Sequence, residues 1–464
     1  MDPEALVDPR TGVITQLVHV DPEPWWPRGL DVYATHVADV AALMPWPADR
    51  VSTGTAFGDP ARARIGAIGE AVERYCGNFV PADLRRAAHA ELVAAGENAL
   101  DPADLALYSP AQYAEPGSPF TPFTRDLPVL WTRGVTLPSE EPVWVPASLV
   151  YVNYHQPPRL AEPVTNFVML AGIAAGADDR MARTAALEEV IERDATVIWW
   201  ANRLPAAPVH VDHPRLAPVL TPDPGRGPGW ARATGAYGPC RYRVVALPTV
   251  FDVAVLGVLL EDPEHELAVF GVAARPDPVA AAHKALAEAV TLRRYALGLL
   301  DPDGAIWASA REGIIPIESF RPYRADRRYA DSYRADYRDV TDLACHSQIW
   351  LDPRMRPHLE PITGDHPPVR LDELPSPAGD PHDVYLGRLA AAGLTAHAVD
   401  VTTSDVAAAG FRAARVVVPG AYSNAPAAFP FLGGARLRTD PVRLGLSRVP
   451  IREDEVNLVP LPHT

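Results

Sequence analysis

The sequence predicts a mixed α/β fold in which helices pack on β-sheets. Three segments carry the boundary residues of long helices, and short runs of β-branched residues that are typical of strands lie between and after them. Toward the C-terminal end the two patterns alternate, as they do in proteins that place helices against a sheet.

Three long helices are predicted from their end residues, and the first and third share the same chemistry at both ends. An aspartate can cap the free N–H groups of the first turn, a proline suits that turn because its φ is already helical, and a glycine ends the helix. The second helix starts with two aspartates instead of Asp-Pro. The predicted bounds are Asp59-Pro60 to Gly77, Asp178-Asp179 onward, and Asp277-Pro278 to Gly298.

Runs of β-branched residues predict strands, and clusters of proline predict loops. Proline accounts for 51 of the 464 residues, about twice its usual share of roughly 5%. Its two richest stretches, 203–229 and 352–382, are predicted to be surface connections or lids. The other predicted elements are strands at 244–250, 253–260, 395–400 and 415–418, a helix ending at Gly393 and a helix beginning at Asp405.

Charge and composition exclude several classes of protein. A net charge of −16 argues against unaided binding to nucleic acid or to an anionic membrane, since both need a basic surface. Lys284 is the one lysine of the chain, and no glycine-rich loop ends in Lys-Ser or Lys-Thr, which excludes a P-loop. No apolar run reaches the roughly 18 residues of a membrane span, and the start MDPEALVDPR lacks the pattern of a secretory signal, so a cytoplasmic location is predicted.

The cysteines predict no disulfide framework and no zinc site. They are isolated in the sequence, without a C-x-x-C pair, and each is expected to be a small buried residue. The three are Cys76, Cys240 and Cys345.

The first two predicted helices carry the same acidic spacing, E-x-x-E-R, among apolar residues. A single copy is most often an exposed face with weak ion pairs. Two copies in apolar surroundings, both beside small residues that permit close approach, favour a buried site instead. The residues are Glu70, Glu73 and Arg74 in the first helix and Glu189, Glu192 and Arg193 in the second.

Each acidic pair offers two carboxylates to one point, because residues three apart lie on the same side of a helix. Two unit charges about 6 Å apart repel by roughly 3 kcal/mol at an effective dielectric near 20. Two such pairs brought together therefore need a divalent cation or must take up protons. Oxygen ligands combined with phosphates suit Mg²⁺, so the sequence predicts a metal–nucleotide site.

The third helix leaves two alternatives open. Lys284 and Glu288 have the spacing of an i,i+4 ion pair and could simply pair at the surface, or Lys284 could belong to the group that binds the nucleotide. Arg293 could extend toward solvent or could neutralise phosphate oxygens.

Six segments carry a resemblance to a known family. The chain resembles the YcaO superfamily and, more closely, the SagD-like D proteins of thiazole/oxazole-forming peptide synthetases. It departs from the family's pattern at Thr55, Gly66 and Thr291, where relatives often have lysine, serine and glutamine. The matching segments are GEAVERY (69–75), LAGIAAGADDRMARTAALEEVIERDA (170–195), RPDPVAAAHKALAEAVTLRR (275–294), VDVTTSDVAAAGFRAARVVVPG (399–420), FLGGARL (431–437) and VPLPHT (459–464).

The resemblance implies a YcaO fold with a cleft for ATP and Mg²⁺ between helices packed on β-sheets. It implies one YcaO-like domain over residues 1–464, with a lead-in at 1–50 and an extended, proline-containing tail at 440–464 that reaches the catalytic cleft. The residues carried over are Glu70, Glu73, Glu189 and Glu192 as Mg²⁺ ligands, Arg74, Arg193 and Arg293, with Lys284 as a further candidate, as nucleotide contacts, and Pro460, Pro462 and Thr464 as catalytic tail residues.

The implied activity is that of an ATP-dependent cyclodehydratase subunit. In this family a Cys, Ser or Thr side chain of a ribosomally made precursor peptide attacks the preceding amide, whose oxygen is phosphorylated and lost, leaving a thiazoline or oxazoline. The resemblance also implies a homodimer, a separate E1-like (ThiF-like) partner that binds the leader peptide, and a pathway that can include a flavin-dependent azoline dehydrogenase. Two alternatives remain: thioamide or amidine formation at the same site, and a non-catalytic scaffold that binds a peptide.

Overall fold

The computed structural model of the chain describes residues 3–40, 50–312 and 320–463. Within these ranges eleven α-helices and fifteen strands form a mixed α/β fold, which confirms the predicted fold class. The helices are α1 (Pro60–Asn78), α2 (His89–Ala94), α3 (Pro110–Ala114), α4 (Asp179–Ala201), α5 (Pro278–Leu300), α6 (Ala305–Arg311), α7 (Ala344–Ile349), α8 (Glu360–Thr363), α9 (Pro381–Ala391), α10 (Ser404–Ala408) and α11 (Arg436–Arg443).

The strands form three antiparallel sheets. The first sheet has the order β1-β2-β3, the second β13-β12-β11-β10-β9 with β8 beside β11, and the third β4-β5-β14-β15-β7 with β6 beside β5. The strands are β1 (Ile14–His19), β2 (Leu30–Val37), β3 (Val51–Phe57), β4 (Arg85–Ala87), β5 (Val129–Thr136), β6 (Glu141–Pro146), β7 (Ile173–Gly176), β8 (Ala207–Pro208), β9 (Leu220–Pro222), β10 (Trp230–Ala233), β11 (Arg241–Ala246), β12 (Ala254–Asp262), β13 (Leu267–Arg275), β14 (His397–Asp400) and β15 (Arg412–Val417).

The three long helices lie where the sheets meet. Helix α1 packs on β2 and β3 of the first sheet and on β7 of the third. Helix α4 packs on β7 and β15 and also on β13 of the second sheet, while α5 packs on β12, β13 and β3. Each helix therefore contacts two sheets, and side chains from all three helices can meet at one junction.

The predicted helix starts are confirmed by their caps. The side chain of Asp59 accepts a hydrogen bond from the amide of Arg62 at 2.9 Å. Asp178 accepts one from Met181 at 2.8 Å, and Asp277 accepts one from Val279. The first and third helices extend slightly past the predicted glycines, to Asn78 and Leu300.

The two proline-rich stretches, predicted to be surface connections or lids, are connections that run partly at the surface and partly through the core. The stretch 203–229 contains β8 and β9 and exposes Pro214 and Pro218, whereas its apolar side chains Val209 and Leu216 are fully buried. The stretch 352–382 contains α8 and buries Leu359 and Ile362. Proline disfavours long regular elements, but apolar residues between the prolines still pack into the core.

Other sequence-based expectations fall on well-defined parts of the fold. The lead-in predicted at 1–50 includes β1 and β2, which pair with β3 in the first sheet, whereas its residues 41–49 lie outside the described ranges. All three cysteines are buried and free, as predicted. No helix in the described ranges is long and apolar enough to cross a membrane.

Candidate functional site

Five glutamates from α1, α4 and α5 meet at the junction of the three sheets. Each carboxylate accepts a hydrogen bond from a backbone N–H of a strand or of the residue that leads into it. Each side chain is therefore aimed by the strand that its helix covers. The bonds run from the amides of Thr53 to Glu70 (3.2 Å), Ala175 to Glu73 (3.0 Å), Gly172 to Glu189 (2.8 Å), Ala274 to Glu192 (3.2 Å) and Val272 to Glu288 (3.3 Å).

Glycine in two of these strands explains how close the helices come. A Cβ at Gly54 of β3 would lie 2.0 Å from the backbone nitrogen of Ala67 in α1. A Cβ at Gly271 of β13 would lie 2.3 Å from the carbonyl oxygen of Ala285 in α5. Because only glycine allows this approach, the amides next to these glycines come within reach of glutamates one helical turn further along.

Burial and mutual repulsion raise the pKa of the central carboxylates. Burial first, and then the neighbouring charge of Glu70, raise the pKa of Glu73 to about 8. Burial, with Glu288 nearby, raises the pKa of Glu192 to about 8, and burial also raises the pKa of Glu189. A set of acids that holds protons near neutral pH is short of positive charge.

Arginine and lysine neutralise this cluster only in part. Arg74 donates to Glu70 at 2.8 Å, and Lys284 lies 3.3 Å from Glu288. Arg193, with 12% of its side chain exposed, stays 3.5 Å from an oxygen of Glu192 and 3.9 Å from one of Glu189. The Nε atom of Arg193 is buried and makes no hydrogen bond within the described chain.

Arg415 organises the loop that supplies the amide for Glu189. Its fully buried guanidinium donates to the carbonyls of Val150 at 3.0 Å, of Ala171 and of Met169. Burial lowers its pKa to about 9, and the charge of Glu189 acts in the opposite direction. Arg415 thus fixes the loop immediately before Gly172 and adds positive charge beside the cluster.

The C-terminal segment 457–463 runs into the same junction. The indole of Trp200 donates to the carbonyl of Val459 at 2.6 Å, and the indole of Trp350 donates to that of Pro460 at 2.8 Å. The amide of Phe270 in β13 donates to the carbonyl of Pro462 at 2.9 Å. The segment therefore adds to the free edge of β13.

His463, the last described residue, brings the C-terminal segment into contact with Arg193. Its ring is 6% exposed, with Nδ1 bonded to the carbonyl of Phe270 at 3.1 Å and Nε2 bonded to Nη1 of Arg193. The C-terminal segment thereby contacts the second E-x-x-E-R segment directly.

The donor set suits Mg²⁺ with a phosphate ligand better than a metal held by protein alone. Among residues 3–40, 50–312 and 320–463, no three His, Cys, Asp or Glu side chains are grouped tightly enough to hold one ion together. The carboxylates are instead held apart by their hydrogen bonds to amides of β3, of β13 and of β7 with the residue before it. Mg²⁺ takes one or two carboxylates and completes its sphere with water and phosphate oxygens, so the raised pKa values and the unpaired Arg193 Nε fit a metal with an attached anion.

Several predicted site residues are brought together and others are not. Glu70, Glu73, Glu189, Glu192, Arg74, Arg193 and Lys284 lie at the junction. Pro460 and Pro462 lie on the path that leads to it, held through their carbonyls. Thr464 lies outside the described residues.

The structure gives Arg293 a different set of partners from the predicted phosphate. Its guanidinium is 3% exposed, donates twice to Asp262 and lies 3.8 Å from the ring of Trp25. None of the five glutamates is among its contacts in the described chain. A buried Arg–Asp pair stacked on tryptophan suits a structural ion pair, and the phosphate contact of Arg293 stays a prediction.

Sequence reasoning missed three contributors to the site. Glu288 had the same signal as the other acids, a carboxylate in an apolar helix, but its spacing from Lys284 also fitted a surface pair. Glu188 bonds Arg275 and Tyr385 at the side of the cluster. His463 has no local signal, because only the course of the C-terminal segment brings it to Arg193.

An open cavity elsewhere does not include these groups. It has a volume of about 360 Å³ and lies between the β11–β12 connection and Leu444, with Leu247, Val253 and Pro375 among its lining residues. None of the five glutamates lines it, so it is not the candidate site.

Comparison with known proteins places the chain in a family. Residues 56–422 match the family described as "YcaO cyclodehydratase", ATP- and Mg²⁺-binding. No curated protein matches the chain significantly.

Three solved structures share the fold. A heterocyclase in complex with substrate and cofactor superposes over 100% of this chain and 57% of its own, with a TM-score of 0.68 and 20% identity. The heterocyclase TruD superposes with a TM-score of 0.57 and 21% identity, over 86% of this chain and 50% of its own. YcaO from Methanopyrus kandleri, bound with AMPPCP and Mg²⁺, superposes with a TM-score of 0.53 and 19% identity, over 88% of this chain and 86% of its own.

The chain spans only 57% and 50% of the lengths of the first two of these structures. At such low identities the structural likeness concerns the fold. The family match covers the segments that carry the glutamates of α1, α4 and α5, and ATP and Mg²⁺ are the cofactors of that family, as the sequence predicted. The chain therefore belongs to the YcaO cyclodehydratase family.

Proposed function

We propose that this protein is an ATP-dependent cyclodehydratase that forms thiazoline or (methyl)oxazoline rings from Cys, Ser or Thr of a ribosomally made precursor peptide. Support comes from membership of the family and from one structural observation. Five glutamates, aimed by backbone amides, form a cluster in which Glu73 and Glu192 have pKa values of about 8. Such a cluster needs a divalent cation in order to carry its full negative charge.

The proposed division of labour follows the geometry. The carboxylates of Glu70, Glu73, Glu189 and Glu192 would hold Mg²⁺, which supplies charge neutralisation for phosphate oxygens when bound. Arg193, whose Nε has no hydrogen-bond partner in the described chain, is placed to donate to a phosphate. Arg74, which pairs with Glu70, and Lys284, which pairs with Glu288, add positive charge to the cluster.

The chemistry requires positioning more than a protein nucleophile. The side-chain oxygen or sulfur of the peptide gives up its proton and attacks the preceding amide carbon, and the amide oxygen takes the γ-phosphoryl group of ATP, which releases ADP. Loss of phosphate, together with the proton of the amide nitrogen, leaves the C=N bond of the ring. Because an amide oxygen is a poor leaving group, neutralising phosphate charge is the main task of the site.

The C-terminal segment is proposed to form one wall of the reaction cleft. Its backbone is held at Val459, Pro460 and Pro462 by two indoles and by β13. The catalytic role predicted for Thr464 stays a prediction. Removal of residues 460–464 is expected to reduce ring formation far more than nucleotide binding at saturating Mg²⁺.

Partners are proposed from the family. We infer that the chain acts on its peptide together with an E1-like, ThiF-like protein that binds the leader, and that it forms a homodimer. A related structure, the Escherichia coli microcin synthetase McbBCD, is a complex of several proteins. A flavin-dependent azoline dehydrogenase could act on the product.

Mass spectrometry of the reacted precursor tests the proposal. Each ring formed lowers the peptide mass by about 18 Da, whereas replacement of an amide oxygen by sulfur, the thioamide alternative, raises it by about 16 Da. A mass loss that requires both ATP and Mg²⁺ supports the cyclodehydratase. An unchanged peptide, with no ATP consumed in the presence of the partner, would favour a non-catalytic peptide-binding scaffold.

A further inference from the structure

His463 occupies an unusual position for a residue near a chain end. It is buried, and both ring nitrogens have partners from different elements: the carbonyl of Phe270 in β13 and the guanidinium of Arg193 in α4. Burial of a side chain in an otherwise extended segment requires specific contacts to offset the loss of chain entropy.

The two partners fix the tautomer of the ring. A carbonyl oxygen only accepts hydrogen bonds, so Nδ1 of His463 must carry the proton that it donates to Phe270. A guanidinium only donates, so Nε2 must present its lone pair to Arg193. Both bonds can form only with a neutral ring, and burial together with the Arg193 charge lowers the pKa of His463 to about 3.

This contact changes how Arg193 meets its neighbouring acids. In the first E-x-x-E-R segment the arginine closes on the glutamate four residues earlier, with 2.8 Å between Arg74 Nη2 and Glu70 Oε1. In the second segment the equivalent pair, Arg193 and Glu189, is 3.9 Å apart, beyond hydrogen-bond distance. The distance from Arg193 to Glu192 is also long, at 3.5 Å.

We propose that His463 is a positioning residue that holds Arg193 away from Glu189 and Glu192, so that the oxygens of these two glutamates stay available to Mg²⁺. The inference rests on the proposed function of the site. Without the acceptor at Nε2, the guanidinium would gain from closing on the carboxylates of Glu189 and Glu192, as Arg74 does on Glu70. A closed ion pair would compete with the metal for the same oxygens.

The position of the C-terminal segment is thereby linked to the availability of the glutamates for Mg²⁺. Its hydrogen bonds with Trp200, Trp350 and Phe270 bring His463 to Arg193. A seated segment leaves the acids open to the metal, and a displaced segment lets Arg193 close on them. Metal loading and placement of the chain end would then occur together.

Three substitutions of one residue separate the two ring contacts. Gln places a polar atom near the position of Nε2 and can still accept from Arg193, whereas Asn places one near Nδ1 and can still donate to Phe270. His463→Ala removes both. We expect His463→Ala and His463→Asn to raise the Mg²⁺ concentration for half-maximal binding of AMPPCP about tenfold, and His463→Gln to remain within about threefold of the wild type.

Hydrogen exchange at the Phe270 amide gives a readout that does not depend on activity. That amide donates to Pro462, so its protection reports whether the segment is seated. Trp350→Phe, which removes the bond to Pro460, is the matched control for a loosened segment that keeps His463 intact. We expect His463→Asn to keep Phe270 protected while its Mg²⁺ requirement rises.

The outcomes distinguish this inference from the proposed function. If the wild type binds AMPPCP in a Mg²⁺-dependent way and His463→Ala and His463→Asn need no more Mg²⁺ than the wild type, the positioning role is wrong and the proposed function stands. If His463→Asn raises the Mg²⁺ requirement and the Phe270 amide of the same variant loses its protection, the histidine serves only to seat the segment. The positioning role is then again wrong. If the wild type shows no Mg²⁺-dependent binding of AMPPCP, the proposed function itself fails.

Discussion

The two E-x-x-E-R segments have the same spacing and differ in what their arginines do. In α1, Arg74 closes on Glu70 at 2.8 Å, and both side chains are one-third exposed. In α4, Arg193 is 12% exposed, is bonded to His463 and stays 3.5 to 3.9 Å from its glutamates. The acidic residues behave alike, since each takes one backbone hydrogen bond from a neighbouring strand.

The difference teaches that this motif specifies the acids locally but leaves the arginine to its tertiary surroundings. Helical spacing alone places a guanidinium beside a carboxylate in both segments. Of the two helices, the C-terminal segment reaches α4 and not α1. At α4 it supplies Nε2 of His463, which competes with the glutamates as an acceptor for Arg193. One repeat thus carries an ordinary i,i+4 ion pair, whereas the arginine of the other bonds His463.

Removing one central acid from each segment should have the largest effect. Glu73→Gln and Glu192→Gln are each expected to reduce Mg²⁺-dependent ATP hydrolysis by at least about 100-fold, because each removes a charge that metal binding requires. The thermal midpoint should hold or rise, since an amide is less costly to bury than a carboxylate. Full turnover in one variant and none in the other would show that the two segments do not form one site.

The arginine of the third helix should act on stability instead. Arg293→Met or Asp262→Asn leaves one charge of a buried pair without its partner, which is expected to cost about 3 to 5 kcal/mol in the free energy of unfolding. Denaturant titration measures this loss. AMPPCP affinity of the folded variants should stay close to that of the wild type, and a selective loss of affinity at unchanged stability would support Arg293 as a phosphate contact.

The two motif arginines should differ in their effect on the nucleotide. Arg193→Met is expected to weaken AMPPCP binding about tenfold or more, whereas Arg74→Met should change it by less than about threefold, because Arg74 is exposed and already paired. Calorimetric titration of both variants in saturating Mg²⁺ provides the comparison. Equal losses would mean that Arg74 also binds the phosphates and that the asymmetry between the segments has no functional consequence.

The last expected effect is a pH dependence of the metal-free protein, spread over several pH units. The pKa of Glu73 is about 8 in the folded chain, against 4.5 for an unperturbed glutamate, so the folded state binds more protons between these values. This contribution to stability is complete below about pH 4.5 and is lost as the pH rises through about 8. Glu73→Gln should flatten that part of the stability profile by up to about 1.4 kcal/mol per pH unit, and an identical profile in both proteins would contradict the raised pKa.

Local signals explain what the sequence predicted correctly. The caps at Asp59, Asp178 and Asp277 act within one helical turn, so the three helix starts were readable. The paired glutamates were readable for the same reason, because their spacing and apolar neighbours lie within single helices. The mixed fold class followed from these elements together.

What the sequence did not reveal depends on contacts between distant residues. Strand β7 (IAAG) and the second half of β13 (GVAAR, 271–275) consist largely of small residues and lack a strong strand signal. Amides of these two segments and of Gly172, just before β7, nevertheless aim four of the glutamates. Arg293 was assigned to phosphate because its partner Asp262 lies 31 positions earlier in the chain. His463 reaches Arg193 across 270 positions, and no local pattern encodes that contact.

The central claim is that the carboxylates of α1 and α4 together hold the metal that accompanies the nucleotide. It is tested most directly by a crystal structure of the protein with AMPPCP and Mn²⁺ in place of Mg²⁺, in which anomalous scattering locates the metal. The account predicts Mn²⁺ within coordination distance of carboxylates from both helices, drawn from Glu70, Glu73, Glu189 and Glu192. Bound AMPPCP with Mn²⁺ away from these four side chains would contradict it.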